Sequence, residues 1–145
     1  MRFVQVIGLF AFMISMGACS ISPKPIVFGT DDCDHCKMTI SDTRYGAELV
    51  TKKGRIYKFD DLHCLKGFMD EQVVPLDNIH SLWVIDFSVP ETLTQLEQSF
   101  LLHNEQLQSP MGSNTAAFAI QDSLDVYFSK YKGNKLKWED FISSH

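Results

Sequence analysis

The sequence predicts an α+β fold made of two small homologous ββαβ units packed together. Two observations carry this. The order strand, strand, helix, strand can be read twice along the chain. Neither half is long enough to bury much surface alone, so the two halves are expected to share a core. The repeat lies in the order of elements, not in residue identity.

Residues 1–18 precede the fold. Met1-Arg2 gives a positive start, residues 3–15 are apolar apart from Gln5 and Ser15, and Gly17-Ala18 supplies small residues before Cys19. That order reads as a secretory signal peptide. The apolar run is shorter than the roughly 20 residues a membrane span needs. Met16-Gly17-Ala18-Cys19 resembles a bacterial lipobox, which implies that Cys19 is acylated (palmitate) and becomes the first residue of the mature chain. Acyl chains contribute about 0.8 kcal/mol per buried methylene to membrane affinity. Ser20 follows, so sorting to the cell membrane or the outer membrane stays open. Residues 19–28, with Pro23 and Pro25, read as a tether.

Residues 29–90 make the first unit. Residues 29–41 are a polar loop. Residues 47–51 and 55–59 read as strands, joined by the turn Lys52-Lys53-Gly54, where Gly can take positive φ. Asp60 and Asp61 are placed to cap the next helix, whose apolar face carries Leu62, Leu65, Phe68 and Met69. Pro75 and Asp77-Asn78 end it, and residues 82–87 form a strand of β-favouring residues.

Residues 91–145 make the second unit. Strands at 100–103 and 116–120 flank the turn Pro110-Met111-Gly112-Ser113-Asn114. Asp122 or Ser123 can cap a helix carrying Leu124, Tyr127, Phe128 and Tyr131. Gly133-Asn134 stops it, and 135–138 adds a last strand. Gly46, Gly54, Gly67, Gly112 and Gly133 each fit a turn or a cap.

Composition narrows the function. Removing 18 of the 145 residues leaves 127, enough for one domain or two very small ones. The removed segment holds one basic residue, Arg2, and no acid. The mature chain therefore carries 12 of the 13 Lys and Arg and all 18 Asp and Glu, a net charge of −6. With no basic cluster, nucleic acid is not an expected partner. No Ser-His-Asp order, phosphate-cradling glycine loop or paired-carboxylate site is present, so the chain is not expected to be an enzyme.

Four cysteines in a secreted chain first suggest disulfides. Setting aside an acylated Cys19 leaves Cys33, Cys36 and Cys64. An odd number favours a metal or redox site over a disulfide framework. Cys33-Asp34-His35-Cys36-Lys37-Met38 is the centre of that reading. Two cysteines three apart can aim both sulfurs at one point, and Met38 adds a thioether. Such soft ligands select Cu(I). Lys37 is placed to lower a neighbouring thiol's pKa.

Alternatives stay open at this stage. A lone C-x-x-C also fits a thiol–disulfide oxidoreductase, or half of a structural zinc site completed by Cys64 and a His. Met111, in a turn, can serve either as a thioether ligand or as packing. His35 is the best-placed imidazole, whereas His63, His80, His103 and His145 read as surface. Cys64, on the first helix, reads first as a buried thiol.

Cys33-x-x-Cys36-x-Met38-x-Ile40-x-Asp42, then Tyr45-Gly46-Ala47-Glu48-Leu49, Gly54, Tyr57-x-Phe59-Asp60-Asp61, Cys64 and Ser109-Pro110-Met111-Gly112-Ser113-Asn114 with Ala117-Phe118, resemble the NosL family. The resemblance runs from residue 30 to about 131. It implies a periplasm-facing, Cu(I)-binding lipoprotein built of two ββαβ units. It implies delivery of copper to the copper–sulfide centre of nitrous oxide reductase, or to another copper client. It carries ligand roles to Cys33, Cys36 and Met38, and with them Met111. His35 stands where family members often have an aromatic residue.

Overall fold

The structure is a computed structural model that describes residues 20–143. The signal-peptide and acylation readings, on residues 1–19, lie outside the described residues.

The first unit opens with a hairpin of β1 (Ala47–Thr51) and β2 (Ile56–Phe59). Its turn closes by Thr51 N–H donating to Arg55 O at 2.8 Å and Gly54 N–H to Thr51 O at 2.8 Å, with Gly54 at φ 79°. Helix α1 (Leu62–Asp70) and strand β3 (Ile79–Ile85) follow. β1 sits between β2 and β3, antiparallel to both, and β4 (Leu93–Gln95) adds a fourth strand beside β3.

The second unit repeats the plan. Strand β5 (Phe100–His103) lies between β6 (Thr115–Phe118) and β7 (Asn134–Leu136), again antiparallel to both, and helix α2 (Gln121–Tyr131) joins β6 to β7. A final helix, α3 (Trp138–Ser143), closes the described chain. The α+β reading with two ββαβ orders therefore holds.

Several details differ from the sequence reading. β4 and α3 were not expected; both are short and lack a periodic pattern of their own. Trp138 opens α3 instead of ending a strand. β3 starts three residues earlier than read, at Ile79. α2 begins at Gln121 behind Ile120, which makes no side-chain cap, so neither Asp122 nor Ser123 caps it. Gly67 is neither a turn nor a cap: it sits inside α1, where glycine costs roughly 0.5–1 kcal/mol relative to alanine.

α1 forms where the sequence places it. Asp61 is its N-cap, and its side chain accepts from His63 N and Cys64 N. Leu62, Leu65 and Phe68 are buried on one face against β1 and β2, each contributing about 2 kcal/mol by burial.

The two units share their cores. Leu101, Ala117 and Trp138 of the second unit join the cluster built on Leu49, Phe59 and Leu65. Tyr45 and Phe87 of the first unit join the cluster of Leu102, Phe118 and Leu124. Phe87 N–H donates to Ala117 O at 2.8 Å, Asp86 accepts from Ala119 N at 3.2 Å, and the Tyr45 hydroxyl donates to Leu107 O. No helix among the described residues is long and apolar enough to cross a membrane.

The tether is docked at its end. Lys24 N–H donates to Glu48 at 3.2 Å, the Lys58 ammonium donates to Pro25 O at 3.1 Å, and Ile26 is buried.

Candidate metal centre

The cysteine loop is held by its own backbone. Gly29 N–H donates to Ile40 O and Ile40 N–H to Asp31 O, so the loop returns on itself. Within it, Cys33 N–H donates to Met38 O at 2.8 Å and Lys37 N–H to Cys33 O at 2.9 Å. Lys37 takes φ 64°, a left-handed conformation that a non-glycine residue rarely adopts, and this turns the chain back between Cys36 and Met38. Asp34 fastens the loop to β2: its N–H donates to Lys58 O at 2.7 Å, and its carboxylate accepts from Lys58 N at 2.8 Å.

β2 leads directly through Asp60 and Asp61 into α1, with Cys64 in the helix's first turn. The loop and the helix therefore converge. The Sγ atoms of Cys33, Cys36 and Cys64 all lie within 4.8 Å of one another. Cys33 and Cys64 are buried, while Cys36 is partly open to solvent, and none is in a disulfide. Among the described residues these three are the only His, Cys, Asp or Glu side chains grouped this closely. Sulfurs on opposite sides of one ion, bound at about 2.3 Å, sit about 4.6 Å apart. The cluster can thus close on a single ion with little movement.

Cys64 changes status. The sequence favoured a buried thiol and kept Cys64, like His35, as a secondary ligand candidate. The thiol is buried, but it stands beside the other two sulfurs. The available signal was Asp61 three residues earlier: a cap there puts Cys64 in the first helical turn, next to the end of the strand that carries the loop.

The three sulfurs differ in protonation. Cys33 is pushed down to about 5: the Cys64 thiol donates to it, and the N–H groups of Cys36, Asp60 and His35 add to that against the opposing effect of burial. Cys64 is correspondingly raised, because its proton is held by Cys33. Burial raises Cys36. Within the cluster the negative charge is therefore biased to Cys33, while Cys36 and Cys64 are biased to keep their protons. Lys37 was expected to stabilise the thiolate. Its ammonium instead donates to the Asp34 carbonyl, and the Cys33 thiolate rests on a thiol and backbone N–H groups.

The other candidates surround this core. Met38 is 49% exposed at the rim. Met111 is half-buried and packs against the cluster to which Cys33 and Cys64 belong. The His35 ring lies against α1 at Gly67, with Nδ1 3.6 Å from Glu71. Asp60, read as a second cap, is a buried carboxyl with one oxygen lacking a partner. Burial first, then the Cys33 charge, raises it to about 6.

The sequence pattern of the NosL family matches residues 26–145. The crystal structure of the copper chaperone NosL from Shewanella denitrificans shares the fold, with a TM-score of 0.71 at 17% identity, over 87% of this chain and 99% of that one. No curated protein sequence matches.

Proposed function

This chain belongs to the NosL family, and from that premise we propose that it is a Cu(I)-binding lipoprotein, a chaperone that carries one ion on Cys33, Cys36 and Cys64. Met38 and Met111 supply further sulfur. The observation that carries the reading is the convergence of three cysteine sulfurs within 4.8 Å, with no fourth His, Cys, Asp or Glu in the group among the described residues. Two or three soft ligands suffice for Cu(I), whereas a structural zinc site takes four.

The geometry suits carrying and release. Cys33 and Cys64 hold the ion from inside. Cys36, partly open, and Met38, half-exposed, form the side a client can approach. A client ligand can join the ion before Cys36 leaves, so the ion never passes free through water. The thiol–disulfide oxidoreductase reading fits less well. Its attacking sulfur must be both ionised and accessible, yet here the acidic sulfur, Cys33, is buried and the accessible one, Cys36, is held protonated.

The copper client we propose is nitrous oxide reductase, at its copper–sulfide centre. The protein is anchored through acylated Cys19 to the cell membrane or outer membrane, facing the periplasm. The name of the Shewanella denitrificans protein, a copper chaperone, supports the carrier role.

The test is a competition. Reduced protein is offered cuprous ions beside a Cu(I) chelator. One ion captured per chain, and tight capture lost on Cys36→Ser with the fold intact, is the expected result. Capture of none refutes the reading. Mass analysis of the mature N-terminus tests acylation at Cys19. Assay of the copper–sulfide centre in cells lacking the chain tests the client.

A further inference from the structure

The loop between β5 and β6 reaches the N-terminus of α1 from the second unit, and one side chain there, Asp61, takes three of its donors. Asp61 is 1% exposed. Its Oδ1 accepts from His63 N at 2.9 Å and Cys64 N at 3.2 Å, which is the α1 cap. Its Oδ2 accepts from Ser109 Oγ at 2.6 Å, Met111 N at 3.1 Å and Ser113 N at 3.2 Å. One buried carboxylate thus gathers five donors from two units, with the backbone of Cys64 on one oxygen and that of Met111 on the other.

The loop is shaped for this. Ser109 Oγ also accepts from Asn114 N at 2.9 Å, Ser109 N donates to Asn114 Oδ1 at 3.3 Å, and the Ser109 and Ser113 hydroxyls lie 2.9 Å apart. Gly112 at φ 80° and Asn114 at φ 45° bend the chain so that three donors face one point. A helix cap needs only one short acceptor, and serine or threonine serves as well as aspartate. The second oxygen is therefore surplus to capping, and its whole use is to hold the Met111 loop.

We propose that Asp61 is a positioning residue of the copper site: by clamping the Ser109–Ser113 loop to the N-terminus of α1, it sets the Met111 thioether beside the Cys33, Cys36 and Cys64 sulfurs. The proposal rests on the copper reading above. Asp61 does not touch the ion. It acts through Met111, whose backbone N–H it holds on Oδ2 and whose flexible thioether packs against the cluster containing Cys33 and Cys64.

The test uses Asp61→Ser, Met111→Leu and their combination, with Cu(I) affinity read by chelator competition on the reduced protein. Serine at 61 still caps α1 but is too short to hold the loop. Each single substitution is expected to weaken Cu(I) binding about tenfold, and the pair also about tenfold rather than a hundredfold, because both remove the same sulfur. Ser109→Ala, which removes one loop-side donor and leaves the cap intact, is expected to weaken binding about threefold and covers the case in which Asp61→Ser fails to fold. Normal affinity in Asp61→Ser and Ser109→Ala overturns the proposal, as does a hundredfold loss in the double variant. If the unsubstituted protein takes no Cu(I), the copper reading itself falls.

Discussion

Gly67 and His35 are in mutual contact across the metal loop and α1: a Cβ at position 67 would stand 2.6 Å from His35 Nε2 and 2.9 Å from Cε1. This explains a glycine inside a helix. The imidazole that follows Cys33 by two residues lies on the helix that carries Cys64, so the contact helps to set the distance between the two sulfur-bearing elements.

Gly67→Ala should therefore gain nothing, although removing glycine from an open helical position stabilises by roughly 0.5–1 kcal/mol. In a His35→Ala background the same change should recover that gain. Thermal melts of the four proteins check this. An equal gain in both backgrounds would show that the ring and the helix are independent.

Cys64→Ala should weaken Cu(I) binding at least a hundredfold by chelator competition, an effect close to that of losing Cys33. Alanine replaces a buried thiol of similar size, so the fold should persist, at a cost of about 1 kcal/mol. Affinity within threefold of the unsubstituted protein would remove Cys64 from the ligand set.

Copper binding should release protons. Cys33 is ionised above about 5, whereas Cys36 and Cys64 are raised and hold their protons near neutrality. Thiols must ionise to bind, so affinity should rise with pH by up to about a hundredfold per unit between pH 6 and 8, as two protons leave. In Cys64→Ala, Cys33 loses the thiol donor that lowers it most, so Cys33 and Cys36 both release a proton on binding and the rise should stay at about a hundredfold per unit. A pH-independent affinity would contradict the protonation pattern.

Glu48, 0% exposed in β1, has one carboxylate oxygen without a partner, and burial raises its carboxyl to about 7. An acid whose folded pKa lies above its unfolded value penalises the fold only when it must ionise. The cost is absent below the unfolded value near 4.5, grows as pH rises, and is complete above about 7, where it reaches about 3 kcal/mol. The melting temperature should fall between pH 5 and pH 8, and Glu48→Gln should flatten that fall. An unchanged pH profile in Glu48→Gln would assign the effect elsewhere.

Much of the fold was legible because it is local. The β1–β2 hairpin announces itself by Lys52-Lys53-Gly54, α1 by its Asp61 cap and its apolar spacing, and β5 by an apolar run between turns. The short elements β4 and α3 were not legible, because three to six residues carry no period. Their place depends on pairing with β3 and on packing Trp138 into the first unit's core. The cysteine pair and Met38 were visible as a motif. Asp61 was visible as a cap but not as a clamp, because its second oxygen is used by residues 48 to 52 positions away.

By itself the sequence determined the kind of chemistry: soft sulfur donors on a short loop, in a doubled ββαβ chain of the NosL pattern. Only the tertiary structure decided which sulfurs meet. Cys33 and Cys64 are separated by a loop, a hairpin and a helix start, and they come within 4.8 Å because Asp34 pins the loop to the strand that runs into α1. Local preferences choose elements one at a time, but the distance between two side chains on different elements is fixed by how those elements pack.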